Sequence, residues 1–144
     1  MSLRAALDGY LGDGGALELE YAIGDAFSGR TELRLSGDGA YRTSSTATAN
    51  REPLEFTGSV DAGRVRDVVS ALVDARVWEA EHVRGKPGED DPEATIAARS
   101  PHGAGEVTLW VSEIRRVPPF AAAQDALLEF ARTVSGGRIL EPGR

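Results

Sequence analysis

Asp61-Ala-Gly-Arg-Val-Arg-Asp-Val-Val-Ser-Ala-Leu-Val-Asp-Ala-Arg-Val77 is the stretch around which the rest of this sequence is arranged. Its apolar residues recur at the i, i+3, i+4 and i+7 spacing of an amphipathic helix. They are Val65, Val68, Val69, Leu72 and Val73. Asp61 is expected to cap this helix, because its carboxylate can accept backbone N–H groups of the first turn. A short helix rich in β-branched residues is weak alone, so we expect neighbouring strands to cover its apolar stripe.

Four strands are predicted before this helix, because apolar and polar residues alternate there with a period of two. The predicted strands span about 17–23, 30–35, 40–49 and 54–60. Ser36-Gly37-Asp38-Gly39 predicts a tight hairpin, since its glycines can adopt positive φ angles. A short helix is predicted at the N-terminus and ends at Gly12-Asp-Gly-Gly15. Its apolar face consists of Leu3, Ala6, Leu7, Tyr10 and Leu11.

Two further strands and a last helix are predicted after the central helix. Ala94 to Ala98 and Val107 to Val111 form a predicted hairpin, joined through Pro101-His-Gly-Ala-Gly105. Pro118-Pro119 predicts the first turn of the last helix, and Gly136-Gly137 predicts its end. The predicted order is therefore helix, four strands, helix, two strands, helix.

This order predicts an α+β fold of two layers. We expect a twisted, mostly antiparallel sheet of about six strands, with two main helices on one face and a short N-terminal helix. At 144 residues the chain is expected to form one domain. Within it we expect an N-terminal helix and glycine-rich loop over 1–15, a core over 16–135 and a loose tail over 136–144.

Several of these segments resemble uncharacterised bacterial α+β families, described as domains of unknown function, that combine a strand meander, a helix and a β-hairpin. The resemblance runs from about Arg30 to Ser112 and rests on turn glycines and core positions. The matching segments are Asp38-Gly39-Ala-Tyr41, Phe56-Thr-Gly58-Ser-Val60, the helix from Val65 to Val73, Trp78 and Asp91-Pro92. Some such domains carry a cysteine pair in their first strand, which this chain lacks. The resemblance implies the fold and no activity.

The charge balance argues against binding to nucleic acids. The chain has 16 basic and 23 acidic residues, a net charge of −7, and its only adjacent pair of arginines is Arg115-Arg116. Such a surface repels phosphate backbones. The chain has no cysteine, and we expect no membrane segment and a cytoplasmic location. Abundant arginine, alanine and glycine are typical of GC-rich bacterial coding sequences.

Acid–base or cation chemistry is a weak alternative. Histidine is a common general base, so His82 or His102 could act as one, but the sequence shows no orienting partner for either. The acidic run containing Glu89, Asp90 and Asp91 lacks the ligand spacing of a calcium loop. The sequence contains no phosphate-binding loop, nucleophile elbow or zinc-protease motif. We therefore predict no catalytic residue, no metal site and no cofactor.

Two features point to a protein partner. Strand alternation places Trp110 opposite Val107, Leu109 and Val111, so it is covered by the N-terminal helix or loops, stacked under an arginine, or exposed as an anchor. The third predicted strand has no charge and no proline from Thr43 to Asn50, as in an unprotected edge strand. It could therefore pair with a partner or form a homodimer. Its candidate contact residues are Thr43, Ser45, Thr46 and Thr48.

The resulting first hypothesis is a non-catalytic binding or accessory module, such as an adaptor, an inhibitor or an immunity-type protein of a bacterial cytoplasmic system. One alternative is a small hydrolase or transferase that uses His82 or His102 with acidic residues. The other alternative is a structural homo-oligomer.

Overall fold

A computed structural model of the protein describes residues 2–25, 29–46, 54–80 and 92–137. Its helices and strands follow the predicted order. The helices are α1 (Leu3–Asp13), α2 (Ala62–Ala75) and α3 (Pro118–Val134), and two 3₁₀ helices span Val77–Glu79 and Val111–Arg116. The strands are β1 (Glu18–Asp25), β2 (Gly29–Ser36), β3 (Ala40–Thr46), β4 (Leu54–Ser59), β5 (Glu93–Ser100) and β6 (Gly103–Trp110).

The strands form one antiparallel sheet of six strands in the order β4-β3-β2-β1-β5-β6. The first four strands form a meander, because each pairs with the next along the chain. β5 returns after α2 to pair with the free side of β1, and β6 then forms a hairpin with β5. β4 and β6 are therefore the two edge strands.

The three described α-helices lie on the same face of the sheet, which confirms the predicted two-layer α+β fold. Helix α1 packs on β5 and β6, α3 contacts Tyr21 of β1 and Tyr41 of β3, and α2 packs on α1 and α3. The core lies between the helices and the inward-facing residues of the strands. β2 shows the alternation clearly, because Thr31, Leu33 and Leu35 are buried while the residues between them are exposed. The inward-facing residues of each described strand thus pack against the helices, and the opposite face of the sheet points away from the helices.

Helix α2 has the predicted cap and the predicted buried stripe. The carboxylate of Asp61 accepts a hydrogen bond from the backbone N–H of Arg64 at 2.9 Å. The helix ends at Arg76, which has a left-handed backbone with φ of 57°. Val65, Val68, Val69 and Leu72 are buried and Val73 is partly buried.

Helix α1 lies against β5 and β6 on the core side and also contacts α2. Gly105 of β6 permits this close packing, because a Cβ at that position would collide with the backbone of Leu3. On α2, Arg66 donates a hydrogen bond to the backbone carbonyl of Leu11 at 2.7 Å, which joins the two helices. Tyr10 is buried and donates to the carbonyl of Gly37 at 3.2 Å. Burial raises the pKa of its phenol, and the nearby Arg66 cation opposes this shift.

The boundaries of the β5–β6 turn and of β6 differ from the prediction, whereas the end of α1 agrees with it. The β5–β6 turn contains only Pro101 and His102, because Ser100 already pairs with Gly103. Helix α1 ends inside the predicted glycine-rich stretch, because Asp13 is its last residue and Gly14, with a positive φ of 69°, caps it. Val111 belongs to a 3₁₀ helix rather than a strand, and this turn leads the chain from the sheet edge to α3.

Candidate functional site

None of the described helices packs on the second face of the sheet, which we call the open face. One residue row crosses all six strands on this face, as the strand register shows. From β4 to β6 the row reads Thr57, Arg42, Arg34, Glu20, Ala97 and Glu106. Cationic side chains therefore lie on β2 and β3, carboxylates lie on β1 and β6, and alanine lies between the carboxylates.

The arginines on β2 and β3 are neutralised by neighbouring carboxylates. Arg42 bonds to Glu55 through two nitrogens, at 3.1 and 3.3 Å. Arg30 contacts Glu32 at 2.7 Å, and Arg34 contacts Glu20 at 3.6 Å. These side chains are about half exposed, so each pair adds little to stability. Their main effect is to balance the charge of this half of the open face.

The other half of the open face contains a shallow groove of about 350 Å³ over β1, β5 and β6. We call it the β1–β5–β6 groove. Its lining side chains on the open face are Glu18, Glu20, Ala97, Arg99, Ala104 and Glu106. A second cleft, of about 690 Å³, continues from Glu18 and Arg99 towards the β2–β3 turn. The two cavities share those two residues at this end of the sheet.

The β1–β5–β6 groove is acidic. Glu18 and Glu106 make no ion pair with any residue in the described ranges, and the carboxylate of Glu20 is shared with Arg34. Arg99 is the only cation in the lining, and it too has no ion pair within the described residues. Three carboxylates therefore face one guanidinium in this groove.

The groove has a floor of alanine side chains, and the packing of the described residues does not explain why these side chains are small. Gly103 and Gly105 on the core face are needed because α1 lies directly on them. Ala97 and Ala104 lie on the open face, where none of the described helices packs. Alanine is disfavoured in strands compared with β-branched residues, so packing of the sheet alone would favour larger side chains here. The two alanines instead keep the groove open.

Trp110 ends β6 and is half-buried. The register pairs it with Glu93, while the preceding Leu109 is fully buried on the core face. Trp110 therefore lies on the open face. The backbone N–H of Trp110 donates to the carboxylate of Glu113 at 3.0 Å. The N-terminal helix is not the cover expected for this tryptophan, since α1 packs on the opposite face.

The third strand is not an edge strand, so that prediction is wrong. β3 pairs with β2 on one side and with β4 on the other, and both ladders include Thr43 and Ser45. Its backbone groups are occupied there, and no partner strand can add to it. The hydroxyl of Thr43 donates to the carbonyl of Glu32 at 2.9 Å, and Ser45 bonds to Thr31 at 3.2 Å.

Beyond Ser45 the ladder between β3 and β4 does not continue among the described residues. Thr46 is half-buried and pairs with Arg30 of β2. Thr48 lies outside the described residues. Among the strands that the structure describes, β4 and β6 are the ones through which an edge-to-edge homodimer could form.

His102 has the orienting partner that sequence reasoning missed. Its Nε2 contacts the carboxylate of Asp13 at 2.9 Å, which links the β5–β6 turn to the end of α1. The imidazole ring also lies against Gly9, where a Cβ would collide with it. The hydroxyl of Ser100 accepts from the backbone N–H of His102, at 3.1 Å, rather than contacting the ring. These contacts give His102 a packing role at the surface.

The other acid–base candidates, His82, Glu89, Asp90 and Asp91, lie outside the described residues. Across the ranges that the structure does describe, no group of three or more His, Cys, Asp or Glu residues is arranged to hold a metal ion. Glu113 was not singled out from the sequence, although it is fully buried and fixes the turn after β6 through Trp110. Its position in a charged Ser-Glu-Ile-Arg-Arg segment gave no signal of burial.

No family model matches this chain, and no curated protein matches its sequence. Within the described part of the chain, no helix combines the length and the apolar character needed to cross a membrane. The open face therefore has to be interpreted from its own chemistry.

Proposed function

We propose that this protein is a non-catalytic protein-binding module that uses the open face of its sheet as the contact surface. The observation that carries the proposal is the arrangement of one sheet with all described α-helices on a single face. Two-layer folds need one helix layer to bury their core, and this leaves the second face available. The β1–β5–β6 groove gives that face a concave region, and the half-buried Trp110 gives it an aromatic side chain. The cytoplasmic location expected from the sequence belongs to the same proposal.

The described geometry supports the enzyme alternative less well. His102 is the only described histidine, and its ring is held between Asp13 and Gly9 at the surface. Neither of the two cavities at the open face includes His102 in its lining. A general base needs a place for substrate within hydrogen-bond reach of its free nitrogen. The described residues around His102 do not provide such an enclosed place.

Site-specific photo-crosslinking tests the proposal. A photoreactive phenylalanine analogue replaces Thr57, Ala104 or Asp67, one at a time, in cells that naturally make the protein. Thr57 and Ala104 are exposed at opposite edges of the open face, whereas Asp67 is exposed on α2 in the helix layer. We expect one shared protein adduct from one or both open-face positions and none from position 67. Adducts confined to position 67 would show that the helix layer is the contact surface and would refute the proposal.

A further inference from the structure

We propose that the β1–β5–β6 groove receives a basic, extended segment of the partner protein, with an arginine or lysine side chain over Ala97. This inference rests on the proposed function and specifies the chemistry of the partner. Charge is the first reason. Glu18 and Glu106 make no ion pair within the described residues, whereas Glu20 is shared with Arg34 at the edge of the groove and Arg99 is the cation in its lining. The groove therefore keeps an excess of negative charge. An oppositely charged segment is favoured because complementary charges guide association and fix the register of the partner.

The geometry of the groove supplies the second reason. Glu20, Ala97 and Glu106 lie side by side on three neighbouring strands. Neighbouring strands are about 4.8 Å apart, so the two glutamates flank the alanine across about 10 Å. A long cationic side chain can lie on the methyl group of Ala97 with its charged end between the two carboxylates. Its aliphatic part would then cover the small apolar floor, as arginine and lysine commonly do.

A second copy of this chain is a poorer occupant of the groove. Among the described arginines of the open face, Arg30, Arg34 and Arg42 already bond to carboxylates of the same chain, which leaves Arg99 as the one cation that this face of a second copy could offer. Two copies would also each bring a net charge of −7 to the contact. A basic segment of another protein meets neither obstacle.

Peptide binding tests the inference. The probe is a fluorescent eight-residue peptide of alternating arginine and glycine, measured by anisotropy at physiological salt, with a glutamate–glycine peptide as the negative probe. Glu106→Gln should weaken binding by about two- to fivefold, the usual range for one partly exposed charge pair. Arg99→Gln should strengthen it by a similar factor, since it removes the competing cation.

Two matched controls separate the groove from general attraction to an acidic protein. Asp67→Asn changes the net charge as Glu106→Gln does, but on α2, and should leave affinity within about twofold. Ala97→Leu fills the groove without changing charge and should weaken binding by about tenfold. Ala22→Leu adds the same side chain to the open face outside the groove lining and should have little effect.

Equal effects of Glu106→Gln and Asp67→Asn, or no effect of Ala97→Leu, would overturn the inference. Absence of peptide binding would also overturn the inference. If photo-crosslinking nevertheless gave adducts at Thr57 or Ala104, the proposed function would still stand. Light scattering gives a further outcome. A wild-type dimer that Ala97→Leu converts to monomer would identify a second copy as the occupant and contradict a basic partner.

Discussion

At the scale of single residues, Gly9 of α1 lies so close to His102 of the β5–β6 turn that a larger side chain at position 9 would collide with it. Glycine inside a helix usually costs about 1 kcal/mol relative to alanine. Gly9 nevertheless permits the ring of His102 to approach α1 and to reach Asp13. We expect Gly9→Ala to lower the free energy of unfolding by about 1 kcal/mol, because overpacking exceeds the gain in helix propensity. Urea denaturation measures this change.

Gly12 provides the matched control, since it lies in the same helix with no atom within 4 Å of an added Cβ. Gly12→Ala should therefore stabilise the protein by about 0.5–1 kcal/mol. In a His102→Gly background, which removes both the ring and the Cβ that would collide, Gly9→Ala should become stabilising as well. If Gly9→Ala stabilises the wild-type protein as much as Gly12→Ala does, the contact between α1 and His102 is not formed.

Tyr10 gives a pH-dependent prediction. Burial raises the pKa of its phenol above the ordinary tyrosine value of 10.0, with Arg66 opposing this shift. The unfolded chain therefore releases this proton at a lower pH than the folded protein does. The stabilising contribution is present in full below about pH 10 and is lost as the pH rises through the folded pKa.

Tyr10→Phe tests this dependence. The variant should lose about 0.5–1.5 kcal/mol at neutral pH, because the bond to the carbonyl of Gly37 is removed. Its stability should then fall less steeply than that of the wild type above pH 10. Urea midpoints at several pH values provide the measurement, and parallel curves for the two proteins would contradict the expectation.

At the scale of elements, truncating a buried side chain of α2 is expected to lower the free energy of unfolding more than any other substitution considered. Leu72 lies in the centre of its stripe and is 0% exposed. Leu72→Ala should destabilise the fold by about 2–5 kcal/mol, as expected for a fully buried leucine. Asp74→Ala on the exposed side of the same helix is the control and should change stability by less than about 0.5 kcal/mol. Chemical denaturation of both variants gives the comparison.

The elements that could be predicted are those with strong local signals. The periodicity of α2 and its cap at Asp61 depend only on residues within one segment, as does the turn around Gly37 to Gly39. Strand order depends on contacts between distant segments, so the sequence did not show that β4 would cover the edge of β3. The same limit applies to the contact between His102 and Asp13, whose partners lie far apart in the sequence.

At the scale of the whole molecule, the direction of each side chain was predictable but its neighbours were not. Alternation placed Trp110 and the charged residues of β1 and β2 on the second face. The groove could not be foreseen, because Glu20, Ala97 and Glu106 meet only when β5 returns beside β1. Alanines on an outward strand face were the available signal, since such positions usually favour larger residues.

Metal ions should have little effect on the whole molecule. No metal-binding group exists within the described residues, and the acidic run at 89–91 lacks calcium-loop spacing. We expect about 1 mM Ca²⁺ or Zn²⁺ to leave Tm nearly unchanged in scanning calorimetry. A site with a Kd of about 10 μM would add about 2.7 kcal/mol and raise Tm by several degrees. A shift of that size would revive the metal-dependent alternative.

The central claim is that the open face of the sheet is where the partner binds. Carboxyl footprinting tests it most directly, with carbodiimide-coupled glycinamide applied to the purified protein and to the complex recovered from cells that naturally make it. We expect Glu18, Glu20 and Glu106 to be labelled in the free protein and protected in the complex. Asp67 and Asp74 on α2 should be labelled equally in both. Protection of the two α2 carboxylates, with unchanged labelling of the three glutamates, would contradict the claim.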